Sequence, residues 1–109
     1  VEILSDSGLY DYQARYTAGM TEFFTPARLD DAASQAAAEL ALTAHATFGI
    51  RDLSRTDLIV MADGTPVFLE TNVAPGMTET SLLPQSVAAA GRDLGSVMGE
   101  LVDRAIARA

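Results

Sequence analysis

From Asp30 to Phe48 apolar side chains recur at helical spacing: Ala33, Ala36, Ala37, Leu40, Ala44 and Phe48 share one stripe. That period predicts an amphipathic helix over 30–48, capped by Asp30 or Asp31 and ended at Gly49. An alanine-rich stripe lies close against whatever it covers, so a sheet is the expected neighbour. Further on, Thr56–Met61 and Pro66–Thr71 read as strands, and Asp63-Gly64 between them signals a tight hairpin. Two shorter strands are predicted upstream, at Val1–Leu4 and at Thr21–Thr25 closed by Pro26, with a further short strand running into a loop from Leu9 to Tyr16. The opening strand has no lead-in, which suggests a cut rather than a natural start. The end of the chain carries two helical stretches, Leu82–Ala90 and Leu94–Ala107, broken at Gly91. In the second, Leu94, Val97, Met98, Leu101, Val102, Ala105 and Ile106 make an apolar covering face. The order β-β-α-β-β-α fits an α+β fold, a mostly antiparallel sheet with helices packed on one face.

A two-residue turn at Asp63-Gly64 places Ala62 opposite Thr65, Asp57 opposite Glu70 and Arg55 opposite Asn72. Side chains on a strand alternate between faces, so these last four share one face. Leu58, Val60, Val67 and Leu69 then face the core. Directly opposed residues have Cβ atoms about 4.5–5.5 Å apart. Two ionised carboxylates at that separation repel by roughly 3–4 kcal/mol at an effective dielectric near 20, so Asp57 and Glu70 need relief. Two readings remain open at this point. Arg55 neutralises the pair, or one carboxyl keeps its proton. Alternatively, a divalent cation sits between them. Oxygen donors from Asp57, Glu70 and the Asn72 amide suit Mg²⁺ or Mn²⁺ better than zinc.

Length and composition narrow the classes. With 109 residues the chain is one domain or part of one. It has no Cys, so disulfides, thiolate metal sites and a cysteine nucleophile are excluded. A net charge of −8 argues against nucleic acid as a partner. No apolar run approaches the roughly 18 residues of a membrane span, and a cytoplasmic location is expected. The glycines at 8, 19, 49, 64 and 76 are scattered and form no phosphate-cradling loop. His45 lies mid-helix among Ala and Thr residues with no chemistry converging on it, and reads as structural.

Arg55-Thr56-Asp57, Glu70-Thr71-Asn72, Pro75-Gly76-Met77-Thr78 and Ser81-Leu82-Leu83-Pro84, in that order and spacing, resemble the C-terminal part of the D-alanine–D-alanine ligases, members of the ATP-grasp superfamily. The segment Tyr10–Tyr16 is similar to that family's loop over the active site. The resemblance covers nearly the whole chain. It implies a C-terminal ATP-grasp subdomain, with an active-site loop region at 9–25, a metal- and substrate-binding hairpin and loop at 51–82, and C-terminal helices at 82–108. It also implies a reaction: ATP phosphorylates the carboxylate of one D-alanine, and the amine of a second attacks the acyl phosphate, forming the dipeptide used in peptidoglycan synthesis.

Carried over by resemblance, Asp57 and Glu70 hold one Mg²⁺ or Mn²⁺, and Glu70 with Asn72 a second. Arg55 points at the transferred phosphoryl group and the oxyanion, with the Gly76 N–H as a second oxyanion donor. Ser81 and Leu82 bind the carboxylate of the second D-alanine at a helix start, where Ser81 has the alternative role of a simple cap. Arg15 stands where the family commonly has Lys and is expected on ATP phosphate, as a planar fork rather than a point charge. Tyr16 helps close the loop and favours a dipeptide ligase over the lactate-using relatives. The family's enzymes run well beyond this length, so the chain alone is expected to make no dipeptide. The intact enzyme is expected to be a homodimer. Other possibilities are a metal- or partner-binding module reusing this half of the fold, an inert truncation product, and a ligase that accepts D-serine or D-lactate.

Overall fold

The structure, a computed structural model, describes residues 1–5 and 21–109. Seven elements follow one another: β1 (Glu2–Ser5), β2 (Thr21–Phe24), α1 (Asp31–Thr47), β3 (Arg55–Val60), β4 (Pro66–Asn72), α2 (Leu82–Ala89) and α3 (Leu94–Arg108). The class is α+β with antiparallel strands, as the pattern predicts. Among the described residues the strands form two separate two-stranded sheets, β1–β2 and β3–β4, rather than one. The predicted strand piece between Leu9 and Tyr16 lies outside the described residues.

Asp30 caps α1, its carboxylate accepting from the Ala33 N–H at 2.8 Å, and Gly49 ends it with φ +64°. That backbone angle is cheap only without a Cβ. Helix α1 packs on both strands of the β3–β4 hairpin, burying Ala33 and Ala44. The small side chains let it approach closely, and Phe48 just past its end meets Phe68 with ring centroids 6.0 Å apart. His45 shares a 2.8 Å hydrogen bond with Ser54 Oγ, fastening α1 to the approach of β3. Helix α2 touches α3, and Arg108 at the end of α3 forks onto Asp52 at 2.7 and 3.0 Å. Arg28 clasps Glu2 with side-chain bonds of 2.8 and 3.0 Å and lies over the Phe24 ring, joining β1 to the segment after β2. No helix among the described residues is long and apolar enough to cross a membrane.

The hairpin departs from the predicted ladder twice. Its tip holds three residues, not two: Met61 faces Thr65, donating its N–H to the Thr65 carbonyl at 2.9 Å, and the Gly64 N–H bonds the Met61 carbonyl. Gly64, at φ +87°, takes the left-handed position that such a loop requires. Asp63 Oδ1 accepts from the Thr65 N–H at 2.9 Å and favours this tip over the shorter one. The second departure is a bulge. Asp57 pairs with Glu70 but Leu58 pairs with Phe68, leaving Leu69 unpaired.

Each departure shifts the register by one residue, and they cancel. Beyond the bulge Asp57 lies opposite Glu70 and Arg55 opposite Asn72, as the two-residue turn predicts. Between bulge and tip the predicted faces of β4 are wrong. Phe68 and Pro66, paired with Leu58 and Val60, lie on the helix side, and Val67 pairs with Ile59 on the side of Asp57. The aromatic ring of Phe68 fills the space at the end of α1 that Leu69 was expected to reach. The bulge is what turns it there.

Candidate metal and substrate site

Strands β3 and β4 place Arg55, Asp57, Glu70 and Asn72 on the face turned away from α1, because alternation puts Thr56 and Thr71 on the other. Those two threonine hydroxyls meet at 3.0 Å across the ladder and hold the pairing between the two charged rungs. On the open face the Arg55 guanidinium donates from Nε to Asp57 Oδ1 at 2.7 Å and from its terminal nitrogen to Oδ2 at 2.9 Å. The same guanidinium lies 3.9 Å from Glu70 Oε1. The Asp57 side chain is 23% exposed and Glu70 61%. The less hydrated carboxylate therefore takes the two-pronged bond, which is the stronger kind. Asn72 Oδ1 accepts from the Ala74 N–H at 2.8 Å, turning the chain out of β4 and leaving that oxygen a second lone pair.

Among the described residues no three acidic or imidazole groups converge; Asp57, Glu70 and Asn72 offer two carboxylates and one amide on this face. This set fits a hard divalent cation, since all three donors are oxygen and two are anionic. The Arg55 guanidinium answers the charge of Asp57 with a two-pronged bond and comes no nearer than 3.9 Å to Glu70.

A second group forms in the loop that follows. Pro75 is buried, anchoring a turn in which Ser81 Oγ accepts from the Thr78 N–H at 3.1 Å and shares a 2.7 Å hydrogen bond with Thr78 Oγ1. Ser81 occupies the cap position of α2 by its backbone angles, but its side chain makes no capping bond. The simple-cap alternative is therefore not what the hydroxyl does. Leu82 opens α2, in the first turn where amides have no carbonyl of their own helix to bond. A Cβ on Gly76 would stand 2.8 Å from Ser81 Oγ, so a side chain there would displace the hydroxyl. The family resemblance assigns Thr78 no role. This threonine orients Ser81, and only the folded loop brings the two hydroxyls together.

The structure thus gathers Arg55, Asp57, Glu70 and Asn72 on the hairpin, and Gly76, Ser81 and Leu82 in the next turn. Arg15 and Tyr16 lie outside the described residues. Residues 1–103 match the family model described as "D-ala D-ala ligase C-terminus". The chain belongs to this family. Relatives of the chain include proteins named D-alanine–D-alanine ligase from Anaeromyxobacter dehalogenans strain 2CP-C, 43% identical over 109 residues, and from Pelobacter propionicus, 46% identical over 106. A third, from Pelotomaculum thermopropionicum, is 42% identical over 106 residues. These alignments cover 97–100% of this chain but only 33–35% of each relative. The chain therefore spans about a third of the length of the curated relatives it matches.

Proposed function

We propose that this chain supplies the metal, phosphoryl and acceptor side of an ATP-dependent D-alanine–D-alanine ligase that acts in the cytoplasm as a homodimer and serves peptidoglycan synthesis, hence cell-wall formation and cell shape. Membership of the family supports the reaction class. The observation that carries it to these residues is the in-register quartet of Arg55, Asp57, Glu70 and Asn72 on one open face. In this reading the carboxylate of one D-alanine attacks the terminal phosphorus of ATP, releasing ADP and leaving an acyl phosphate. The amine of a second D-alanine then attacks the acyl carbon, and inorganic phosphate departs.

Asp57 and Glu70 hold one Mg²⁺ or Mn²⁺, and Glu70 with Asn72 a second. Glu70, the middle rung between Asp57 and Asn72 and the most hydrated of the charged groups, is the carboxylate that would serve both. When bound, the two ions neutralise phosphate charge and align the transferred group. Arg55 meets the phosphoryl group and the developing oxyanion, and the Gly76 N–H donates to the same oxygen. Ser81 donates its hydroxyl, and Leu82 its backbone N–H, to the carboxylate of the acceptor amino acid. Two donations from Thr78 to Ser81 Oγ would leave the Ser81 proton directed at that anion. Arg15 binds ATP phosphate and Tyr16 helps close the loop over the acceptor.

The test is phosphate release by a longer polypeptide carrying this chain, with ATP and D-alanine, and with D-serine and D-lactate in competition. Release that requires D-alanine, and falls at least a hundredfold in Asp57→Asn, is expected. The 109-residue chain alone should release none. Full activity in Asp57→Asn, or D-alanine-dependent release by the chain alone, would overturn this assignment of parts.

A further inference from the structure

Ser81 and Thr78 are tied together from both sides. The Ser81 N–H donates to the Thr78 carbonyl at 2.9 Å, the Thr78 N–H donates to Ser81 Oγ at 3.1 Å, and the two hydroxyl oxygens lie 2.7 Å apart. A hydroxyl oxygen carries one proton and two lone pairs. The Thr78 N–H fills one lone pair of Ser81, and the proton between the hydroxyls decides what remains for a ligand. If it runs from Ser81 to Thr78, Ser81 offers a ligand only its second lone pair. If it runs from Thr78 to Ser81, both lone pairs are filled and Ser81 offers only its proton. An anion accepts and cannot donate, so it selects the second arrangement.

We propose that Thr78 is a positioning residue that makes Ser81 a donor only, and that the acceptor subsite thereby takes a carboxylate in preference to a carboxamide. This rests on the acceptor role of Ser81 and Leu82 proposed above and adds the source of its selectivity. The Leu82 N–H, in the first turn of α2, is likewise a donor only. Two donors suit the two oxygens of a carboxylate. A carboxamide must set its NH₂ against one of them, and a polar group left unpaired there weakens binding. Thr78→Val keeps the branched shape and the backbone N–H but removes the hydroxyl. One lone pair of Ser81 is then open again and accepts from the amide.

The experiment uses a longer polypeptide carrying this chain and D-alaninamide as the probe. Lacking a carboxylate, the amide cannot be phosphorylated and competes in the reaction only as an acceptor. Its inhibition constant against the second D-alanine is divided by the Michaelis constant for that D-alanine, in the native sequence, Thr78→Val, Thr78→Ser and Ser81→Ala. The charge difference between the two ligands is common to all four proteins and drops out. The ratio should fall about tenfold in Thr78→Val, the worth of one hydrogen bond, and stay at the native value in Thr78→Ser. A general loosening of the loop would raise both constants together and leave the ratio where it was. An unchanged ratio in Thr78→Val, while Ser81→Ala raises the Michaelis constant, overturns this proposal alone. A ratio that falls equally in Thr78→Ser does the same, since the hydroxyl is retained there. A Michaelis constant indifferent to Ser81→Ala removes the acceptor role of Ser81 and this proposal with it.

Discussion

Gly76→Ala is the substitution whose outcome the loop geometry determines most tightly. Gly76 does not have a positive φ, so alanine is allowed by the backbone there. The cost comes from contact: the added Cβ would stand 2.8 Å from Ser81 Oγ and 3.4 Å from Ser81 Cβ. The first distance is too short to survive, and the second is tolerable. The hydroxyl must therefore rotate away, giving up its bonds to the Thr78 N–H and Thr78 Oγ1. At about 1 kcal/mol net for each bond, the substitution should destabilise the chain by about 2 kcal/mol. Ser81→Ala removes the same two bonds and also the atom that collides. In that background Gly76→Ala should cost nearly nothing, so the two substitutions together should cost about as much as either alone. Urea unfolding of the four proteins, followed by circular dichroism, gives the double-mutant cycle. An equal cost for Gly76→Ala with and without the Ser81 hydroxyl would refute the collision as the reason for glycine.

Two further substitution experiments address the ladder and the clasp. Phe68→Ala should cost about 2 kcal/mol, a fully buried ring's share reduced for its partial exposure, whereas Leu69→Ala, on the unpaired bulge residue, should cost less than about 1 kcal/mol. Thermal unfolding ranks them, and the reverse order would mean that β4 runs without its bulge. The Glu2 carboxyl is pulled down to about 2, first by its side-chain bond from Arg28 and then by the Arg28 backbone N–H. A depressed carboxylate pKa stabilises the fold above the ordinary range near 4.5, and that contribution fades as pH falls toward 2. Protection of the β1–β2 amides from hydrogen exchange should therefore weaken across that window, and Glu2→Gln should lack the dependence. Persistence of the same acid dependence in Glu2→Gln would assign it to another group.

Local chemistry alone made most of the elements legible. The Asp30 cap, the alanine stripe and Gly49 bound α1 to within a residue of its predicted limits, because caps and period act over a few neighbouring positions. The polar quartet on the hairpin was also readable, since alternation along a strand needs no tertiary information. Its pairing came out as predicted although the turn behind it did not. Met61 facing Thr65 and the unpaired Leu69 are opposite one-residue errors in a regular ladder, and they cancel at Asp57 and Glu70.

What the tertiary structure decided lies where distant groups compete for the same space or charge. Neither Phe68 nor Leu69 announces which of them turns toward α1; with the bulge, the Phe68 ring meets Phe48 at the end of that helix. A glycine before Met77 reads as an ordinary turn until the fold sets Ser81 Oγ against it. The sequence alone left Arg55 between neutralising the pair and meeting phosphate, because that depends on which carboxylate is less hydrated. Only the packed hairpin, with Asp57 sheltered and Glu70 open to water, sends both prongs of the guanidinium to Asp57.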